Sequence, residues 1–335
     1  MKVSICIPTY NQALYLEQTI RSCADQTISP FEIIVSDDCS TDNTKDILSR
    51  LGDEIPILKI IHQPVNLGMV PNTDSVLRKA KGDYIIKLDS DDYLAPNYLA
   101  KLSNLLDKYP KAGYAHAAVQ EIDEKGQNRK KRVLMRNTGF ITSETALQEA
   151  LQGYKVSANI IMFRKSALEK VGFINAKTNF AEDFYLSAEL ASAGFGNVYL
   201  NEVLSFYRVW TDAGQVRQRR KLAEIEALRR VFEEVLEPAF KARNWGGGRI
   251  NKFRASFATR HANSLGWDIY TPYEKEEIAK EILKLSSNFK VKSYVWLYQN
   301  GLGGIPGTIS SMKSILKGLV KKIAFSLIPK WGISK

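Results

Sequence analysis

An α/β protein is what this sequence predicts: a mostly parallel sheet flanked by helices, followed by a mainly helical C-terminal region. Three observations lead there. Short β-prone apolar runs recur along the first two hundred residues, and most of those in the first half are followed by a segment with helical spacing. Polar residues gather in the loops that follow those runs, where open α/β sheets place their ligands. Beyond about residue 212, apolar positions step by three and four instead.

Val3–Ile7 reads as the first strand, ended by Pro8-Thr9-Tyr10-Asn11, and the next segment to Asp25 places Leu14, Ile20 and Cys23 at spacings a helix can bury. Phe31–Val35 is the second strand. It breaks into Ser36-Asp37-Asp38-Cys39-Ser40-Thr41-Asp42, rich in helix-capping residues, before a helix that ends near Gly52. Ile57–Ile61 is a third strand, Asn66-Leu67-Gly68 a turn, and a helix through Val76 and Leu77 ends near Gly82. Tyr84–Leu88 is the fourth strand. It stops at Asp89-Ser90-Asp91-Asp92, three carboxylates in four residues. Such a cluster is tolerated as a solvated acidic turn or as a site for a divalent cation, since Mg²⁺ and Mn²⁺ favour hard oxygen ligands; taken alone, these residues leave both readings open.

Pro96 suits the first turn of the following helix, which stops before Pro110. Tyr114–Val119 reads as a strand, Glu121–Arg136 as an exposed hairpin or loop, Ala158–Phe163 as a strand, and Ser166–Val171 as a short helix. Glu182 and Asp183 then open a helix that runs to Gly194. Acids in a first helical turn are ordinarily explained by the helix dipole. Val198–Leu200 is a last strand leading to Ser205-Phe206-Tyr207-Arg208. Lys221–Phe240 is an amphipathic helix and Tyr273–Leu285 another; Gly246-Gly247-Gly248 is a loop rather than a phosphate cradle, because no strand precedes it. These boundaries divide the chain into residues 1–212, a helical region 213–300 and a basic tail 301–335.

The chain of 335 residues carries a net charge of +11, and residues 215–335 hold 23 Lys and Arg against 10 Asp and Glu, so the excess lies in the C-terminal third. Basic regions meet nucleic acid, anionic lipid or acidic substrates. No nucleic-acid motif is present, and nucleic acid is not expected as a partner. Between 309 and 328, Ile309, Met312, Leu316, Leu319, Val320, Ile323 and Leu327 share one helical arc and Lys313, Lys317 and Lys321 another; the pattern fits a peripheral contact with an anionic membrane and equally a helix docked on the protein. Cys6, Cys23 and Cys39 form neither a disulfide framework nor a metal-ligand spacing, and no run is long and apolar enough for a signal peptide or a membrane span. A cytoplasmic protein is expected. His62, His116 and His261 are expected to be structural.

From Val3 to Arg208, roughly 60% of the chain, the sequence resembles the family 2 glycosyltransferases of the GT-A fold. The resemblance rests on ordered motifs: VSICIPTYNQ, SCADQT, FEIIVSDDCSTDNT, NLG, GDYIIKLDSDDYLAP with its Asp-x-Asp, and AEDFYLSAEL. It implies an inverting, metal-dependent enzyme that moves a sugar from a nucleotide-sugar, UDP- or dTDP-linked, to a hydroxyl of a glycan or lipid-linked acceptor in cell-surface polysaccharide biosynthesis. Pro8, Thr9, Tyr10, Asn11, Asp37, Asp38, Asn66, Gly68, Asp89, Ser90 and Asp92 would bind the donor, with Asp38 accepting the N3–H of the base. Asp91 would ligate Mg²⁺ or Mn²⁺, Asp183 would be the general base, and Glu182 would orient it. The chain departs from the pattern at Val70-Pro71-Asn72, where relatives commonly carry Ala-Arg-Asn. It also lacks the Gln-x-x-Arg-Trp of processive synthases, so a single addition is expected. A sugar-nucleotide nucleotidyltransferase is the alternative from another class, although Val3–Asn11 lacks its Gly-rich loop. A non-catalytic nucleotide-sugar binding module would have no need of Asp183.

Overall fold

The computed structural model describes residues 2–174 and 180–305. Its first half alternates as expected: β1 (Val3–Thr9), α1 (Ala13–Ala24), β2 (Glu32–Asp37), α2 (Thr44–Glu54), β3 (Leu58–His62), α3 (Met69–Lys79) and β4 (Tyr84–Lys87). There follow β5 (Tyr93–Leu94), α4 (Tyr98–Lys108), β6 (Ala112–Ile122), β7 (Asn128–Arg132), β8 (Gly139–Ile141), α5 (Ser143–Ala150), β9 (Ile161–Arg164), α6 (Lys165–Val171), α7 (Glu182–Ser192) and β10 (Gly196–Arg208).

The strands form one sheet in the order β3-β2-β1-β4-β9-β6-β10-β5, with β7 paired to β6 and β8 to β10. β1 is parallel to β2 and β4, β2 to β3, and β10 to β6. β9 alone reverses within the middle of the sheet, antiparallel to both neighbours, so β6 and β10 regain the direction of β1 to β4. The carboxyl ends of β1, β2, β4, β6 and β10 therefore lie along one edge, where an α/β sheet offers a crevice.

Two apolar layers hold the sheet. Along β1 and β4 successive side chains alternate between faces, so Val3, Ile5, Ile7, Tyr84, Ile86 and Leu88 pack with Leu16, Ile20 and Leu102 on one side. Cys6 and Ile85 turn to the other, where Val76, Leu168, Leu186 and Leu190 meet them. The same alternation assigns Lys87 to the face of Ile85, which is the face covered by α7. Gly82 enters β4 so close to β1 that a Cβ there would lie 2.7 Å from the backbone nitrogen of Ser4.

Four expectations need correction. Leu14 is 81% exposed, because it lies about 200° around α1 from Leu16, and Tyr15 takes the buried place beside it. α4 starts at Tyr98, two residues beyond Pro96. The strand expected at Ala158–Phe163 is confined to Ile161–Arg164, the only residues opposite Tyr84–Lys87, and it runs antiparallel. The last strand is much longer than Val198–Leu200: β10 continues past irregularities near Leu200 and Val203 to Arg208, because Ser205–Arg208 find partners in Val119–Ile122.

Beyond β10 the chain is helical: α8 (Ala213–Arg219), α9 (Lys221–Arg230), a π-helical turn at Val231–Leu236, α10 (Glu237–Ala242), α11 (Gly248–His261), a 3₁₀ turn at Ala262–Gly266, α12 (Pro272–Leu285) and α13 (Phe289–Gln299). The expected helix 221–240 thus carries a π turn, in which Glu237 N–H donates to Phe232 O. The described residues divide into two compact units, one comprising those to Arg217 with Ala227–Ile250, the other Gln218–Glu226 with those from Asn251 on. In the first, the Tyr185 hydroxyl donates to Glu234 at 2.7 Å and so ties α7 to the π turn. In the second, Thr271 and Glu274 form a capping box that starts α12. No helix among the described residues is long and apolar enough to cross a membrane. The tail pattern at 309–328 lies outside the described residues.

Candidate active site

Polar groups converge where β1, β2 and β4 end. The loop after β1 is locked to the loop after β2: Thr9 O accepts from Asp38 N–H at 2.9 Å, Asn11 N–H donates to Ser40 Oγ at 2.9 Å, and Asn11 Oδ1 accepts from Thr41 N–H at 2.8 Å. Asn11 and Cys39 both have positive φ, 52° and 65°, a left-handed backbone that Asn tolerates better than most residues. Tyr10 is left 47% exposed at the mouth.

The two adjacent aspartates of the second loop have separate duties. Asp37 is fully buried, with one oxygen accepting from Ser40 N–H at 3.0 Å and the other 3.0 Å from His62 Nδ1. Asp38 clamps the third loop: Oδ1 accepts from Leu67 N–H at 2.7 Å and Oδ2 from Gly68 N–H at 2.9 Å, while Asn66 Nδ2 donates to its carbonyl. Each carboxylate oxygen has a second lone pair, which is what a nucleobase N–H requires.

Asp89–Asp92 form a tight turn closed by Asp92 N–H to Asp89 O at 3.1 Å. Thr19 Oγ1 lies within hydrogen-bond reach of the carbonyls of Ser90 and Asp92 from α1. Arg208, at the end of β10, is buried and binds on every side. Its backbone N–H donates to Asp92 Oδ1 at 2.7 Å, Nε to Asp91 O at 2.9 Å, one terminal nitrogen to the carbonyls of Asp123 and Glu124, and the other to Gln18; the guanidinium also stacks 4.1 Å over the Tyr15 ring. Trp210 Nε1–H donates to Asp91 Oδ2 at 2.7 Å, fixing that carboxylate. Burial, followed by the charge of Asp89, raises the Asp91 pKa, and burial with Asp91 and Asp89 raises that of Asp92 well above the carboxylate range.

The second half of the site arrives on α7. Ala181 caps that helix in the left-handed region, φ 53°, and Glu182 and Asp183 follow, 8% and 6% exposed. Asp183 Oδ1 lies 3.5 Å from Lys87 Nζ, which also stands 3.4 Å from Asp89 Oδ1. One buried ammonium thus joins the acidic turn to the acidic helix start. Burial pushes the Asp183 pKa up to about 7 against the opposing pull of Lys87. Thr9 Oγ1, Asp92 Oδ2 and Tyr154 Oη are buried atoms with no hydrogen-bond partner among the described residues, while Asp183 Oδ1 has the Lys87 ammonium opposite it.

The described residues contain no group of three His, Cys, Asp or Glu side chains able to enclose a metal ion. Mg²⁺ is commonly held by only one or two carboxylates and completed by phosphate oxygens and water, so a single ligating aspartate would not form such a group. His62 Nδ1 lies beside Asp37 Oδ2, and His116 is buried against Arg136, its pKa lowered to about 3 chiefly by burial.

Sequence reading overlooked three of these groups. Lys87 carried a signal, a charge inside the apolar run Tyr84–Leu88, which a strand buried on both faces admits only with a partner. Arg208 and Trp210 carried none, because they lie more than a hundred residues from the turn they hold.

One edge of the sheet thus carries an acidic turn and, across Lys87 from it, a buried carboxylate on α7. The chain matches Glycosyl transferase family 2 over residues 4–172, half its length, and it belongs to that family. An uncharacterized glycosyltransferase of Haemophilus influenzae is 39% identical over 104 residues, 31% of this chain and 42% of that protein. The GalNAc(5)-diNAcBac-PP-undecaprenol beta-1,3-glucosyltransferase of Campylobacter jejuni is 32% identical over 185 residues, 55% of this chain and 56% of its own length. Both relatives therefore extend beyond the part this chain matches. Among solved structures, S. aureus TarS 1-349 in complex with UDP-GlcNAc shares the fold with a TM-score of 0.68 at 16% identity, over 95% of this chain and 92% of that one.

Proposed function

We propose that this chain is an inverting, divalent-metal-dependent glycosyltransferase that moves a sugar from a UDP- or dTDP-linked donor to a hydroxyl of a glycan or lipid-linked acceptor in cell-surface polysaccharide biosynthesis. The observation that carries the reading is the placement of Asp183 across Lys87 from the Asp89–Asp92 turn. Attack by a hydroxyl needs a base near the operating pH, and a buried carboxylate with a pKa pushed up to about 7 meets that condition. One base opposite one leaving group gives a single displacement, hence inversion. Asp91, its carboxylate set by Trp210, would hold Mg²⁺ or Mn²⁺, which when bound would stabilise charge on the departing diphosphate. Thr9, Tyr10, Asn11 and the loops held by Asp37 and Asp38 would bind the nucleoside, with Asn66 and Gly68 at its rim. Asp89 would meet the ribose or sugar, while Ser90 and Asp92 keep the turn in shape. Glu182 would orient the base or an acceptor hydroxyl.

The acceptor class draws support from the Campylobacter relative, whose name specifies an undecaprenol-linked substrate. A cytoplasmic location goes with such an acceptor. The test is a donor screen with Mg²⁺ or Mn²⁺ followed by transfer assays. Asp183→Asn should lose about 10²- to 10⁴-fold in rate, the usual contribution of a general base, while still binding donor; Asp91→Ala should lose transfer and metal response together. Full activity in either variant overturns the assignment. Release of free nucleoside diphosphate, rather than pyrophosphate, separates transfer from nucleotidyl chemistry.

A further inference from the structure

The central strand β4 places an ammonium where its neighbours are Ile85, Ile86 and Leu88, all buried. The Lys87 side chain is 5% exposed, and its only ion-pair partners among the described residues are Asp89 and Asp183. Burying an ammonium costs several kcal/mol before any pairing, so the core gains nothing from a lysine that an apolar residue would not supply. The benefit must lie in the site. Around Asp183 stand Glu182 on its own helix, Asp89 from the turn after β4, the Tyr154 hydroxyl from the segment between α5 and β9, and Lys87 from β4. Lys87 is the single cation in that set. Without it, burial and two neighbouring carboxylates would all favour a protonated Asp183, and a protonated carboxyl is no base.

We propose that Lys87 is a positioning residue of the transfer reaction: its ammonium, shared between Asp89 on the donor side and Asp183 on the acceptor side, holds Asp183 as a carboxylate and fixes its place relative to the donor. The proposal rests on Asp183 being the base. Burial opposes the charged lysine, but Asp183, Asp89 and Glu182 together raise its proton affinity, so it stays an ammonium through the working pH range. Lys87 needs no contact with the sugar to act in this way.

The experiment is the pH profile of kcat/KM, which reports groups of the free enzyme, for the full chain and for Lys87→Met, Lys87→Gln and Lys87→Arg at saturating Mg²⁺. Active enzyme has deprotonated Asp183, so removing the cation raises its pKa and moves the acidic limb to higher pH. In Lys87→Met and Lys87→Gln the limb should move up by about one unit or more, giving roughly tenfold or greater loss below the limb and substantial recovery above it. Lys87→Arg should restore the wild-type limb. Lys87→Gln, which keeps a polar donor, supplies the reading if Lys87→Met does not fold. A limb that stays in place in the neutral variants, with loss uniform across pH or no loss, overturns the proposal. Asp183→Asn run alongside separates the two claims: an active Asp183→Asn removes the base assignment itself, whereas an inactive Asp183→Asn with an unshifted lysine variant removes only the role of Lys87.

Discussion

At the scale of single residues, the acidic turn works because its three carboxylates are treated differently. Asp92 is buried and accepts the backbone N–H of Arg208, Asp91 is pinned at one oxygen by Trp210, and Asp89 stays one-third exposed beside Lys87. Like charges this close cannot share a site unless each has its own compensation. Trp210 is the most economical probe of the scheme, since its indole donates one hydrogen bond and nothing else to Asp91. Trp210→Phe keeps the ring but loses that bond, and outer hydrogen bonds to a metal ligand are commonly worth 10- to 100-fold in metal affinity. A Mn²⁺ or Mg²⁺ activation titration should therefore need about tenfold more metal for half-maximal rate, with the maximal rate recovered at high metal; an unchanged titration argues against Asp91 as the ligand.

At the scale of elements, the site depends on strand ends being stapled together across long sequence distances. Arg208 closes β10 and binds the carbonyl of Asp91, the turn between β6 and β7, Gln18 on α1, and the face of Tyr15. A planar fork can satisfy several acceptors at once, whereas an ammonium has a different geometry and cannot stack in the same way. Arg208→Lys should lower stability by about 2–4 kcal/mol, the sum of several lost hydrogen bonds near 1 kcal/mol each and a stacked contact. Chemical denaturation checks this, and a loss below about 0.5 kcal/mol would show that the staple is dispensable. Ala181 makes a related point on α7, since a non-glycine residue at φ 53° costs roughly 1–2 kcal/mol and directly precedes Glu182 and Asp183. Strain of this kind collects where a backbone must aim a side chain.

At the scale of the molecule, the direction of β9 matters most. By running antiparallel between β4 and β6 it returns β6 and β10 to the sense of β1 to β4, so Arg208 emerges beside the turn after β4. The basic tail belongs to this scale as well. In sequence, the apolar residues and lysines between 309 and 328 are spaced as a helix lying on anionic lipid would require, and a peripheral contact there is proposed. Flotation of the full chain with vesicles containing anionic lipid should exceed that of a chain ending before Gly307, and the difference should fall with salt. Equal flotation rejects the tail's role.

The sequence by itself determined the alternating elements, the edge where polar loops gather, the family, and both acidic motifs, because strand periodicity, turn chemistry and short motifs are local signals. It even held the clue to Lys87 in the run Tyr84–Leu88. Only the tertiary structure decided that Lys87 faces α7, that Arg208 and Trp210 hold the Asp89–Asp92 turn, and that Asp38 clamps the loop at Leu67 and Gly68. Those contacts join residues 29 to 119 positions apart, and which side chains meet at such separations is set by strand order and direction in the sheet, for which one sequence contains no local signature.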